Sequence, residues 1–166
     1  MIFGMTTSTF TFVHVALSLV GIGSGLVVLF GLICGKPLQF WTALFLGSTV
    51  ATSITGFGFP FDHFLPAHWV GVLSLLALAV AIPARYAVRL AGHWRSVYVV
   101  SAIMALYLNV FVLIVQGFQK VPVLKAMAPT QSETPFLVAQ IVVMVLFVLL
   151  TIVAVKKFGQ DLMRIS

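Results

Sequence analysis

The stretch TPFLVAQIVVMVLFVLLTIVAVKK, residues 134–157, carries one amide, Gln140, and one hydroxyl, Thr151, between its opening Thr-Pro and its closing lysine pair. Everything else in it is apolar. A helix needs about 20 such residues to cross the hydrocarbon core of a bilayer, and this run supplies them. Thr134-Pro135 marks its start: a threonine cap satisfies orphan amides, and proline at the first helical position pre-sets the backbone angle. Four further runs of this kind precede it, so the predicted spans are 11–34, 38–58, 67–90, 97–118 and 135–156. Gly35 and Pro37 close the first, Gly56 and Gly58 close the second, and Gly92 follows the third.

The composition agrees. Of 166 residues, 61% are hydrophobic and 7% charged, and the mean hydropathy is +1.19, far outside the range of a soluble domain. Little chain remains outside the spans. Residues 1–166 therefore read as a single transmembrane domain, an all-α integral membrane bundle of five helices. The first run is longer than a cleaved signal peptide and lacks a positive n-region, so it is expected to be retained. The one cysteine, Cys34, rules out a disulfide framework or a thiolate metal cluster within the chain.

The formal net charge of +6 sorts by side. Lys36, Arg85, Arg89, Arg95, Lys156, Lys157 and Arg164 fall on one face of the expected topology, whereas Lys120 and Lys125 fall on the other and the second connection carries no Lys or Arg. The positive-inside rule then puts the N-terminus in the periplasm and the C-terminus in the cytoplasm. Such a balance points to anionic lipid headgroups and not to nucleic acid. Trp41, Trp69, Trp94, Tyr86 and Tyr98 lie near predicted helix ends, where amphipathic rings anchor at the interface. Gly21 and Gly25, and Ala43, Gly47 and Ala51, have the small-residue spacing that lets helices approach closely.

Polar groups gather near the expected outer side. The stretch FPFDHFLPAH, residues 59–68, puts Asp62, His63 and His68 between the second and third spans. His14, Gln116 and Gln140 lie at similar depth on the first, fourth and fifth, and the outer connection 119–136 is long enough to fold over them as a lid. Ionisable groups at membrane depth are costly and usually face the bundle interior. The pocket candidates are thus His14, His68, Gln116, Gln140 and, near mid-span, Asn109. A haem b iron bridged by His14 and His68, or a small metal ion held by His14, His68, His63 and Asp62, is chemically allowed. The competing reading is structural: Asp62 binds turn amides, the histidines sit among phenylalanines or bond a neighbouring helix, and Asn109 bridges two helices. The spacing of His63 and His68 matches no standard zinc pattern. The hydroxyls of Ser48, Thr49, Thr52, Ser53 and Thr55 can bond back to their own helix and require no pore.

The stretches FTFVHVALSLVGI, TGFGFPF, YVVSAIMALYLNVFVLIVQGF and LKAMAPTQSETPF resemble a group of small multi-span inner-membrane proteins of Gram-negative bacteria. The resemblance covers nearly the whole chain. It implies a bacterial inner membrane and a compact helical fold, and it implies no activity, cofactor or catalytic residue.

Three functional readings follow. The first is a non-catalytic accessory subunit of a larger membrane complex, or a small-ligand-binding bundle with a periplasm-side polar pocket. The second is a haem, metal or quinone redox protein using His14 with His68 or His63; a visible absorption spectrum separates it from the first. The third is a channel or carrier, which with five spans requires a homo-oligomer. No acidic residue lies within a span and no nucleophile-plus-base motif is present, so no catalytic residue is nominated.

Overall fold

The computed structural model describes residues 4–59 and 66–161, and their regular elements are all helices. The first, α1 (Thr7–Ile33), starts after Thr6, whose hydroxyl accepts the Thr9 amide at 3.2 Å. It stops in a Schellman turn. Gly35 adopts φ of +68°, its amide donates to the Leu32 carbonyl at 3.2 Å, and the Lys36 amide donates to the Gly31 carbonyl at 2.8 Å. Then come α2 (Gln39–Gly56), α3 (Pro66–Tyr86), α4 (Trp94–Lys120), α5 (Pro122–Met127) and α6 (Thr134–Asp161).

The helices depart from the expected bounds by up to five residues, and three differences have a local cause. The third helix ends at Tyr86 and not at 90, because the Pro83 carbonyl accepts both the Ala87 and Val88 amides at 2.9 Å and the chain then turns through left-handed backbone at Arg89, Leu90 and Gly92. The short α5 has no periodicity to announce it; Val121 is extended before Pro122, which opens the new helix at its first position. Thr134 begins α6 but does not cap it. Among the described residues its hydroxyl makes no hydrogen bond, and the Phe136 and Leu137 amides donate instead to the Glu133 carbonyl at 3.1 and 3.2 Å.

Four helices, Thr7–Ile33, Ala67–Tyr86, Trp94–Lys120 and Thr134–Phe158, are long and apolar enough to cross a membrane. This makes the chain compatible with a multi-pass membrane protein. Five spans were expected, and α2 is the exception: it has 18 residues, and its hydroxyls and Gln39 dilute its apolar content. It is nevertheless fully integrated in the bundle. The helices form a closed ring in which α1 packs on α2, α2 on α3, α3 on α4, α4 on α6, and α6 returns to α1, with a further α1–α4 contact across the ring.

Small residues allow the closest approaches. Ala81 and Ala84 of α3 and Ala102 and Ala105 of α4 are all buried, consistent with association through close backbone packing. Gly25 sits where a methyl group would lie 2.6 Å from Leu106 Cδ1 and 2.9 Å from the Phe45 ring. The stripe Ala43, Gly47 and Ala51 does not behave this way: Ala43 and Gly47 are exposed, and a methyl on Gly47 would meet nothing within 4 Å. Trp41, Trp69, Trp94 and Tyr86 are exposed near helix ends, but Tyr98 is wholly buried and is no interface anchor. The outer face of α6 exposes Leu137, Ile141, Met144, Val148 and Ile152, a surface suited to acyl chains.

Candidate functional site

Cross-helix contacts fix the register of α1, α2 and α4. Gly25 meets Phe45 and Leu106, Gly21 meets Ser48, Thr49 and Asn109, and His14 meets Thr55. Hence α1 runs antiparallel to α2, and α4 runs parallel to α2. His14 and Gly21 are seven residues apart, as are Asn109 and Gln116, so each pair lies on one helix face about two turns apart. Gln116 is therefore level with His14. A polar track results, with an inner, a middle and an outer level.

At the inner level Gly21 makes room for three polar side chains. A methyl there would be 3.2 Å from Thr49 Oγ1, 3.3 Å from Ser48 Oγ and 3.5 Å from Asn109 Nδ2. Asn109 Nδ2 donates to Thr49 Oγ1 at 3.3 Å, so the amide does bridge two helices. Ser48 is self-satisfied, donating to the Leu44 carbonyl of its own helix at 2.6 Å. Below this level the track is closed by Gly25, Phe45 and Leu106, and the crevice they line admits no water molecule.

One turn outward from Thr49 lies Thr52. It is buried, and its hydroxyl oxygen has no hydrogen-bond partner. Gln140 of α6 comes in beside α4 at a comparable level: its Nε2 donates to the Phe111 carbonyl at 3.3 Å, two residues beyond Asn109. Its Oε1 is buried and also has no partner. Another buried hydroxyl of α2, Ser53, faces the other way and donates to Ser74 of α3 at 3.1 Å.

At the outer level His14 Nδ1 lies 2.8 Å from Thr55 Oγ1. The Thr55 hydroxyl has one proton, and the carbonyls of Ala51 at 2.7 Å and Thr52 at 3.1 Å are placed to accept it. With the Thr55 proton directed at a backbone carbonyl, the ring Nδ1–H donates to Thr55 Oγ1; with the other tautomer, Nδ1 accepts from the hydroxyl. The Phe59 ring stands edge-on to His14 at 5.2 Å and to Phe10 at 4.9 Å. Gln116 is half-buried and makes no side-chain hydrogen bond among the described residues.

His68 belongs to a different seam. It is buried on α3 and stacks on Phe57 at 5.6 Å, and Gly71 leaves the space that the Phe57 ring fills. His14 and His68 share no hydrogen bond or ring contact. Among the described residues no group of three or more His, Cys, Asp or Glu side chains could hold a metal ion. Asp62 and His63 lie outside the described residues.

The connection 119–136 covers the α4–α6 seam, and what lies beneath it is apolar. Phe118, Ala128 and Phe136 are buried together there, the two rings 5.4 Å apart. Gln131 ties the connection down through a 2.9 Å bond from its Nε2 to the Val115 carbonyl. Glu133 organises its last turn: Oε1 accepts the Thr130 hydroxyl at 2.8 Å and the Thr130 amide at 3.1 Å, and Oε2 accepts the Ser132 amide at 3.1 Å. Desolvation pushes this carboxyl up, but the hydrogen bonds, that of the Thr130 hydroxyl foremost, outweigh it and hold Glu133 below the usual carboxylate range.

Comparisons with protein-family models, with curated proteins and with solved structures return no match. They lend no support to the resemblance to small inner-membrane proteins, and function has to be argued from the residues. Sequence reasoning had singled out His14, Asn109 and Gln140. It assigned no special place to Thr52, whose only signal was membership of a hydroxyl-rich span, or to the Ser53–Ser74 pair.

Proposed function

We propose that the chain is a five-span protein of a bacterial inner membrane, with its N-terminus in the periplasm, that acts as a non-catalytic accessory subunit binding a small neutral polar ligand in the track. The position of α2 between α1 and α3 supports a fifth span, since at about 1.5 Å per residue its 18 residues reach roughly 27 Å. The Lys and Arg distribution supports the orientation. The bacterial inner membrane rests on the resemblance of the quoted stretches.

One observation carries the binding site: Thr52 Oγ1 and Gln140 Oε1 are both buried without partners in the outer half of the bundle. An orphan polar group costs about 1–3 kcal/mol. A ligand hydroxyl or a water molecule that accepts from Thr52, and another that donates to Gln140, would remove these penalties. The dry seam at Gly25, Phe45 and Leu106 argues against a through-path within one chain.

Accessibility tests the proposal. In a Cys34→Ser background, Thr52→Cys should react with a small impermeant thiol reagent added from the outside, whereas Leu106→Cys should not. If Thr52→Cys stays unmodified while a cysteine placed at exposed Lys125 is labelled, the track does not open outward and the binding reading fails.

A further inference from the structure

At the opposite end of the bundle from the track, the seam of α2, α3 and α4 holds a group that the proposed function does not use. Arg85, in the last turn of α3, places its guanidinium carbon 5.4 Å from the centre of the Tyr98 ring and 5.9 Å from that of Tyr86. Stacking of this kind fixes the plane of the guanidinium while leaving its edge and its N–H donors available. No carboxylate neutralises it among the described residues. The chain has three acidic residues, Asp62, Glu133 and Asp161, and Glu133 lies at the other end of α4, hydrogen-bonded within its own turn.

The surroundings of Arg85 are those of an anion site. Tyr98 is fully buried, and its hydroxyl lies beside Arg85 and the buried Thr42 hydroxyl without completing a hydrogen bond. The N-terminus of α4 opens close by; the Trp94 and Arg95 amides donate to the turn carbonyls of Ala91 and Gly92 at 3.1 and 3.4 Å, and His93 at the cap position adds no side-chain hydrogen bond, so this helix end adds its positive dipole and no free cradle of amides. Lys36 and Arg89 belong to the two connections at this same end. Among the described residues, a stacked arginine that meets no carboxylate and a buried hydroxyl without a partner together lack one thing, an oxyanion.

We propose that Arg85, positioned by Tyr98, binds a phosphate group, and that the phosphodiester of an anionic lipid headgroup at this face is its source. The guanidinium matches two phosphate oxygens bidentately, a geometry lysine cannot reproduce. General attraction between a basic surface and anionic lipid depends on charge alone. This difference makes the site testable.

The full-length protein in a neutral maltoside detergent is titrated with phosphatidylglycerol or phosphatidylcholine, and bound lipid is counted by native mass spectrometry. Wild type is expected to retain phosphatidylglycerol in preference to phosphatidylcholine. Arg85→Gln and Arg85→Lys should both weaken that retention about tenfold, and Lys156→Gln should leave it within about twofold. Tyr98→Phe keeps the stacked ring but removes the hydroxyl, and should weaken retention several-fold, an effect that charge alone cannot produce. Displacement of the lipid by millimolar inorganic phosphate would assign the same site to soluble phosphate; resistance to it would assign the site to the lipid. Should the Arg85 variants fail to fold, Tyr98→Phe against Lys156→Gln still decides. Full retention by Arg85→Lys, or equal losses in Tyr98→Phe and Lys156→Gln, would overturn the proposal.

Discussion

Replacing Gly25 by alanine puts a methyl group where three helices meet. The added carbon would lie 2.6 Å from Leu106 Cδ1 and 2.9 Å from two atoms of the Phe45 ring, against an ordinary carbon–carbon contact of about 3.5–4.0 Å. Relief requires α1 to move off α2 and α4 by roughly 1 Å, or its neighbours to change rotamer. Leu106 and Phe45 are each only 1% exposed, so neither has anywhere to turn. Overpacking of this kind costs about 1–3 kcal/mol. Alanine also recovers up to about 1 kcal/mol of helix propensity relative to glycine, so the net change underestimates the clash. Gly23, two residues earlier on the same helix, has nothing within 4 Å of the same added carbon and isolates the propensity gain. In reversible unfolding by sodium dodecyl sulfate from mixed micelles, Gly25→Ala should be less stable than Gly23→Ala by about 1–3 kcal/mol. A difference below roughly 0.5 kcal/mol would mean that α1 does not pack on Phe45 and Leu106 at this point, and the register of the polar track built on that contact would fall with it.

The bond from Asn109 to Thr49 predicts a coupling of about 0.6 kcal/mol, at most about 1.7, in a double-mutant cycle of Asn109→Leu and Thr49→Val; additive losses would remove the inner level of the track. Gly92 adopts φ of +53° in open space, so Gly92→Ala should cost about 1–2 kcal/mol through backbone conformation alone, and an unchanged unfolding midpoint would place that residue elsewhere in φ. Because the folded-state pKa of Glu133 is depressed, its stabilising contribution is present above the ordinary glutamate value near ~4.3 and is lost as pH falls through the lower folded value. Acidification through that window should lower the melting temperature of wild type more than that of Glu133→Gln, and parallel acid limbs would show that the carboxylate does not hold the turn. Thr134→Ala, at a helix start that Thr134 does not cap, should leave the melting temperature unchanged; a clear drop would show that its hydroxyl does serve as the cap.

The amino-acid sequence by itself determined where the helices lie, because a chain in lipid must satisfy its backbone internally and long apolar runs leave few alternatives. Helix ends were legible where a local signal set them, as with Gly35 and Pro37 and the start of the last helix at Thr134, and were misplaced where the backbone turned without one, as after Tyr86. The sequence also marked His14, Asn109 and Gln140, since a polar residue inside an apolar run stands out whatever the fold. Rotation of each helix about its own axis was not legible. A soluble helix announces its buried face by amphipathicity, but here both the core-facing and the outward-facing surfaces are apolar, and that signal vanishes. Only the tertiary structure could decide that Gly25 meets Phe45 while Gly47 faces outward, that Tyr98 is buried beneath Arg85, and that His14 bonds Thr55 while His68 stacks on Phe57. It also decided which hydroxyls of one helix found partners: Thr49 pairs with Asn109 and Ser53 with Ser74, while Thr52, one residue from Ser53, has none. Adjacent residues on a helix point about 100° apart, so neighbours in sequence face different helices, and the pairing of each is set by whichever backbone stands opposite.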